Sequence, residues 1–169
     1  MTSIEIVVVG TPAPQGSKHG YAVKAKGAYT GKVAQVESSA KVKPWRMAVK
    51  YAALTALLPA ASILTDDWHP MTGPVSLEVT FRLARPKGHY GTGRNAGVLK
   101  STAPWYPAGR PDLDKLLRST FDALGEAGVW GDDAQVVKVR GSKVYDNGHW
   151  LPGATIHVTS LAADTKVAS

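Results

Sequence analysis

The chain has 169 residues, of which 44% are hydrophobic and 20% are charged, and it contains no cysteine. A chain of this length fits one domain that buries roughly 70% of its unfolded surface. The lack of cysteine excludes disulfides, thiolate zinc sites, iron–sulfur clusters and a cysteine nucleophile. Residues 1–9 lack the features of a signal peptide, and the mostly apolar run 51–64 is too short to span a bilayer. We therefore expect one soluble, cytoplasmic domain over residues 1–169.

The charge of the chain is unevenly distributed. A net charge of +7 favours a polyanionic partner, nucleic acid above all, although an ordinary basic protein fits the total equally well. Residues 1–65 contain eight Lys or Arg and two acids, whereas residues 112–134 contain six of the thirteen Asp and Glu. Acidic residues gain nothing near phosphates unless cations intervene. An acidic segment in a basic chain is therefore typical of a metal-dependent nuclease or phosphotransferase.

Two strands and a helix are predicted in the first half of the chain. Residues 4–9 are rich in β-branched side chains and predict a strand. Residues 21–41 are rich in Gly, Lys and Ser and predict either short strands or a mobile basic arm. A helix is predicted over residues 44–58, with a proline in its first turn and another after its end. Residues 74–83 alternate apolar and polar side chains, which predicts a half-buried strand.

The second half begins with a long basic loop, residues 85–110, and loops of this length are usually functional or mobile. Residues 112–127 carry apolar side chains at helical spacing and form the best predicted helix. Strands are predicted at 135–145 and 154–161, and a disordered tail at 162–169. This order of elements favours an α+β fold, with helices packed on a mixed or antiparallel sheet.

The residues that point to chemistry flank the second helix. Asp112 and Asp114 open it, and Asp132 and Asp133 follow it. Carboxylate oxygens suit Mg²⁺, which polarises a phosphoryl oxygen and lowers the pKa of bound water. Arg118, one turn after Asp114, is placed to neutralise charge in a transition state. A helix of about 15 residues is roughly 22 Å long. Asp112 and Asp133 therefore meet only across a neighbouring strand or a second subunit.

Simpler structural roles are open for each of these residues. Asp112 fits a helix N-cap. Asp114, Arg118 and Asp122 have the spacing of a solvated salt-bridge ladder. Residues 131–133 fit a turn. Each role is the commoner one when a residue is taken alone, whereas the combination in a basic chain favours a metal site.

Several short blocks of the sequence match one known family in order and spacing. They are residues 111–114 (PDLD), 121–124 (FDAL), 129–137 (VWGDDAQVV) and Lys143, with 14–18 (PQGSK) and 43–46 (KPWR) nearer the start. On these blocks the chain resembles the RusA family of Holliday-junction resolvases, metal-dependent endonucleases common in phages and prophages. The resemblance extends over nearly the whole chain.

The resemblance implies an α+β homodimer that uses Mg²⁺ or Mn²⁺ to cut four-way DNA junctions in recombination and repair, in the cytoplasm of the bacterial host if a phage encodes it. The essential acids of the family fall on Asp112, Asp114 and Asp133, which would hold the metal. The catalytic lysine of the family is replaced by Arg118, which keeps the charge but does not readily transfer a proton. Lys115 stands where the family usually has Asn.

Contacts to DNA are expected from both basic and aromatic side chains. Four basic residues are expected to contact DNA: Lys18, Arg110, Lys115 and Lys143. We place Lys143 on the same strand face as Val137 and Val139. Trp105 and Tyr106 either stack on an unpaired base at the junction centre or anchor the loop, and anchoring is the favoured prediction.

Two other functions stay open at this stage. The substitutions at Lys115 and Arg118 are compatible with a non-catalytic, structure-selective DNA-binding protein on the same fold. A nuclease that acts on other branched DNA is equally compatible with these residues. Cleavage that depends on Asp114 separates the enzymes from the binding protein.

Overall fold

The computed structural model describes residues 3–16, 18–25, 28–37, 40–58, 69–146, 148 and 151–161. The predicted tail, 162–169, lies outside these residues. The elements in chain order are β1 (Ser3–Val9), β2 (Lys18–Ala25), β3 (Ala28–Glu37), α1 (Val42–Leu57), β4 (Val75–Leu83), α2 (Leu113–Glu126), β5 (Val136–Tyr145) and β6 (Gly153–Ser160). Within the described ranges, every helix is too short or too polar to cross a membrane.

Four strands form one mixed sheet in the order β1-β6-β4-β5. β6 pairs antiparallel with both β1 and β4, whereas β5 pairs parallel with β4. The predicted α+β class is confirmed, and of the two sheet types expected, the mixed one is present. β5 and β6 follow each other in sequence without pairing, because β4 lies between them.

The core lies between one face of this sheet and the two helices. Alternate residues of a strand point to opposite faces, and the apolar set of each inner strand falls on the helix side. The largest fully buried side chains include Trp45 on α1, Leu116 and Leu124 on α2, and Phe81 on β4. The opposite face carries mostly polar side chains, among them Glu78 of β4 and Lys138 and Arg140 of β5.

The two helices are joined by a buried hydrogen bond. The Nε1 atom of Trp45 donates to the Oγ1 atom of Thr120 at 3.3 Å, and that hydroxyl donates in turn to the carbonyl oxygen of Leu116 at 2.9 Å. At the exposed edge of the same contact, Arg46 forms ion pairs with Asp122 at 3.3 Å and with Glu126. α2 is therefore held against α1 by polar as well as apolar contacts.

Both intervals expected to be mobile basic loops, 21–41 and 85–110, contain backbone hydrogen bonds, and their mobility stays a prediction. For residues 21–41 the sequence left open short strands or a mobile arm, and strands are present. β2, which begins at Lys18, and β3 pair as an antiparallel hairpin. In the loop 85–110, the amide of Gly91 donates to the carbonyl of Val98 and that of Lys100 to the carbonyl of His89, both at 2.9 Å. Two short 3₁₀ turns lie within it. This loop is folded on itself rather than structureless.

We expect the hydrogen bond between Trp45 and Thr120 to contribute to the free energy of unfolding, and substitution of Thr120 tests this. Thr120→Val keeps the side-chain shape but leaves the indole N–H buried without its acceptor, which costs about 1–3 kcal/mol. Thr102→Val, at an exposed turn position, is the matched control and should change stability by less than about 0.5 kcal/mol. Chemical denaturation measures both, and equal free energies of unfolding for the two variants would contradict the role assigned to this bond.

Candidate functional site

The acidic segment begins at the N-terminus of α2. Asp112 occupies the N-cap position, but its side chain makes no capping hydrogen bond. Its Oδ2 atom instead accepts from the Nζ atom of Lys115 at 2.7 Å. The hydrogen bond and the charge of Lys115 lower the pKa of Asp112, with smaller contributions from the charges of Arg110 and Lys143. This carboxyl group is therefore held ionised at neutral pH.

Lys143 fixes the backbone that leads into Asp112. Its Nζ atom donates to the carbonyl oxygens of Gly109 and Pro111, each at 2.9 Å. The side chain reaches them because its face of β5 packs under α2: a Cβ atom added at Gly141 would lie 3.1 Å from the Cδ1 atom of Leu117. Lys143 thus positions the start of α2 through its contacts within the chain.

A groove of about 370 Å³ runs along α2 beside the start of β5. Its lining comprises Asp114, Leu117, Arg118, Phe121, Asp122, Asp133 and Val139. Asp122 pairs with Arg46 of α1. Among the described residues, Arg118 has no ion pair within 4 Å. The salt-bridge ladder of Asp114, Arg118 and Asp122 is therefore absent.

Asp132 and Asp133 are adjacent in sequence but have different roles. Asp132 caps a 3₁₀ turn, since its Oδ1 atom accepts from the amide of Ala134 at 2.7 Å, and Gln135 completes a capping box by accepting from the amide of Asp132. Asp133 instead faces the groove, and its Oδ1 atom accepts from the Nε1 atom of Trp130 at 2.8 Å. The turn is present, and it presents one of the two carboxylates to α2.

The carboxylates are spread along the groove rather than gathered at one point. Asp133 lies beside Gly125, which is about 16 Å along the helix axis from Asp114 at 1.5 Å per residue. Carboxylate oxygens are the donors that Mg²⁺ and Mn²⁺ prefer, so the donor chemistry fits such an ion. Across the residues that the structure describes, however, no three acidic or histidine side chains are close enough to share a metal.

The other residues expected to contact DNA lie in different parts of the chain. Arg110 is exposed, and Lys115 is engaged with Asp112. Lys18 begins β2. Trp105 and Tyr106 are 83% and 72% exposed, and their role as anchors of the loop or as stacking surfaces stays a prediction.

Sequence reasoning gave no place in the functional site to Asp122, which it treated as part of a salt-bridge ladder, or to Gln15. Asp122 lines the groove together with Asp114 and Asp133, and its helical spacing from Asp114 was the available signal. Gln15 is only 7% exposed, and its backbone N–H donates to the backbone carbonyl oxygen of Lys115 at 3.0 Å. The Oε1 atom of Gln15 is buried and has no hydrogen-bond partner in the described part of the chain. Gln15 could have been singled out because it lies in the block 14–18 (PQGSK) that matches the family.

Comparisons with known proteins give one consistent result. A family model described as endodeoxyribonuclease RusA matches residues 12–159. Among curated relatives, the crossover junction endodeoxyribonucleases of Enterobacteria phage 82, Escherichia coli strain K12 and Shigella sonnei strain Ss046 are each 61% identical over 31 residues. That stretch is 18% of this chain and 26% of each relative. The chain thus spans about a quarter of the length of the curated relatives that it matches.

The contact between Lys115 and Asp112 predicts a titration shift. Lys115→Met removes the main cause of the lowered pKa of Asp112, so the carboxyl pKa should rise toward its ordinary value. A depressed carboxyl pKa stabilises the fold above the unfolded pKa, and this stabilisation is lost as pH falls through the folded value. Any stability gained from the pair should therefore disappear in acid.

Carbon-13 NMR of the Asp112 carboxyl group measures this shift directly. Lys100→Met serves as the control, because Lys100 donates to the carbonyl of Gly88 instead. An unchanged Asp112 titration in Lys115→Met would show that the pair does not set this pKa.

Proposed function

Since the chain belongs to the RusA endodeoxyribonuclease family, we propose that it resolves four-way DNA junctions by paired, metal-dependent hydrolysis of phosphodiester bonds. The observation that carries the proposal is the groove in which Asp114, Arg118 and Asp133 face the same space. The net charge of +7 suits a DNA substrate. The curated relatives are named crossover junction endodeoxyribonucleases, and we place the reaction in the cytoplasm.

Asp112, Asp114 and Asp133 are the proposed ligands of Mg²⁺, with Mn²⁺ as a substitute. When bound, the ion supplies a Lewis acid for a phosphoryl oxygen and a water of lowered pKa. The chain supplies hard oxygen donors, and Asp112 is ionised, with its pKa lowered chiefly by Lys115. Asp132 is occupied in its own turn and is left out of this set.

Arg118 is the proposed stabiliser of the negative charge that develops on the scissile phosphate. It lies in the groove between the two ends at which the carboxylates stand. A guanidinium grips phosphate through two parallel N–H donors and stays protonated at all relevant pH. Its contribution is therefore electrostatic, and it takes no part in proton transfer.

A homodimer is the proposed working form of the protein. Resolution of a junction needs two nicks and therefore two sites, and a twofold pair of subunits supplies them. The two ends of α2 hold the carboxylates too far apart to meet on one ion in a single chain, so we propose that Asp133 of one subunit completes the site begun by Asp112 and Asp114 of its partner. Arg110, Lys115 and Lys143 flank the start of α2, and Lys18 is a further proposed contact to DNA.

A non-catalytic, structure-selective DNA-binding protein is the second candidate function. The observation that favours it is the spread of the carboxylates along α2 in the described residues. Such a protein would use the same basic surface without hydrolysis.

The adjacent aspartates provide a matched test of the enzyme. Asp133→Asn should reduce Mg²⁺-dependent nicking of a labelled four-way junction more than about 100-fold, since a lost metal ligand removes several kcal/mol of transition-state stabilisation. Binding of the junction should persist. Asp132→Asn makes the same charge change at the adjacent residue and retains a side-chain oxygen that can cap the turn. This control should nick the junction at the native rate.

Three outcomes would count against parts of this proposal. Equal nicking by the two variants would remove Asp133 from the metal site. Tight junction binding by the native chain without nicking, with either metal, would establish the binding-protein function. Faster cutting of a flap or a three-way branch than of the four-way junction would assign another branched substrate.

Mixing two inactive variants tests the shared site. Asp114→Asn and Asp133→Asn fail separately, but a mixed dimer carries both substitutions in one site and none in the other. Random exchange of equal amounts gives half mixed dimers, so nicking should return to about a quarter of the native level. A mixture as inactive as its parents would show that the carboxylates meet within one chain.

A further inference from the structure

A second concave site lies at the end of β5, outside the groove. It is a cavity of about 570 Å³ between the loop 85–110 and the last residues of that strand. Four aromatic side chains line it, together with Arg85, Leu99 and Asp146: Tyr90, Trp105, Tyr106 and Tyr145. We call this site the aromatic pocket.

The rings at its mouth are presented to solvent by the backbone. Trp105 and Tyr106 remain 83% and 72% exposed. The segment that carries them is nevertheless held, because the Nη1 atom of Arg85 donates to the carbonyl of Pro104 at 2.9 Å. Large apolar side chains that are kept exposed beside a cavity mark a binding surface.

The inner wall of the pocket is already assembled. The guanidinium carbon of Arg85 lies 4.3 Å from the ring centroid of Tyr145, and the ring of His89 meets Tyr145 edge-on with centroids 5.3 Å apart. Gly91 lets the loop close, since a Cβ atom there would lie 2.7 Å from the carbonyl oxygen of Asn95. A ligand would therefore meet an inner wall that contacts within the chain already hold in place.

The surroundings of the pocket suit a polyanion that carries flat rings. Residues 85–110 contain five Lys or Arg and no Asp or Glu. Asp146 adds one carboxylate to the lining, and its Oδ1 atom accepts from the amide of Gly148 at 3.2 Å. Aromatic faces beside cations are the means by which proteins bind single-stranded nucleic acid, with bases stacked on the rings and phosphates held by charge.

The pocket and the start of α2 are linked through β5. Tyr145 lies two residues beyond Lys143 on β5, about 6.7 Å away at strand spacing. Lys143 in turn binds the carbonyls of Gly109 and Pro111 just before Asp112. The same strand thus contributes to the pocket and to the backbone before Asp112.

From this arrangement we propose that the aromatic pocket receives a base extruded from the branch point of the DNA, stacked on Trp105 and Tyr106. The inference rests on the proposed function in taking DNA as the ligand. The continuous stacking of a duplex is interrupted at a branch point, so a base there is extruded at lower cost than one within a duplex. The pocket thereby favours branched over linear DNA.

Binding without metal tests this inference apart from cleavage. In chelator, the double variant Trp105→Ala/Tyr106→Ala should bind a four-way junction about tenfold or more weakly than the native chain, as expected for a lost stacking contact. Its affinity for a linear duplex of the same sequence should change less than twofold. Trp105→Phe/Tyr106→Phe should retain most of the junction affinity.

Two further measurements make the test specific. Tyr51→Ala removes a similarly exposed tyrosine from α1 and should leave both affinities unchanged. With 5-iodouracil at the branch point, ultraviolet light should crosslink the native chain at Trp105 or Tyr106, as peptide mass spectrometry would show. The same base placed within a duplex arm should give no such crosslink.

Junction affinity unchanged in the alanine double variant would overturn the inference. So would an equal loss of junction and duplex affinity, because the rings would then only support the loop. Failure of the proposed function appears separately, as an absence of nicking by the native chain with Mg²⁺ or Mn²⁺. Neither binding nor crosslinking in chelator depends on that reaction.

Discussion

The parallel pairing of β4 with β5 decides where each residue of the candidate site lies. Parallel neighbours need a connection that returns the chain to the same end of the sheet, and α2 lies within that connection. α2 therefore runs against the direction of β5, so that Lys143 meets the backbone before Asp112 while Asp133 lies beside Gly125. One strand pairing thus stretches the acidic segment along a groove.

Most acidic residues of this segment also have a partner of their own within the chain. Asp132 is occupied by its turn, Asp122 by Arg46 and Asp112 by Lys115. Asp114 and Arg118 have no ion pair within 4 Å in the ranges that the structure describes. A cluster of carboxylates in sequence is therefore not one electrostatic site, because most of these groups have their own partner. In the groove, Asp114 and Arg118 are the charged groups with the least internal compensation.

Much of the fold could be predicted because its signals are local. Helical spacing of apolar residues predicted a helix over 112–127, and α2 is Leu113–Glu126. Strand order could not be predicted in the same way, because the placement of β6 between β1 and β4 depends on contacts between distant residues. The site shows the same division. Asp132 and Asp133 are chemically identical in sequence, and only the direction of a 3₁₀ turn separates them. The 83% exposure of Trp105 likewise depends on the path of the loop backbone, which the sequence does not reveal.

The pairing of β1 with β6 has a consequence for the order of folding. Ser3 is opposite Thr159 in this ladder, and β6 separates β1 from β4. During synthesis β1 emerges first, yet the strand that covers its edge is the last of the described strands to be made. Closing so long a loop is slow, and unpaired strand edges attract other chains while they wait. The nascent chain therefore carries the open edge of β1 until residues 153–160 have left the ribosome, and sheet closure is a late event in its biogenesis.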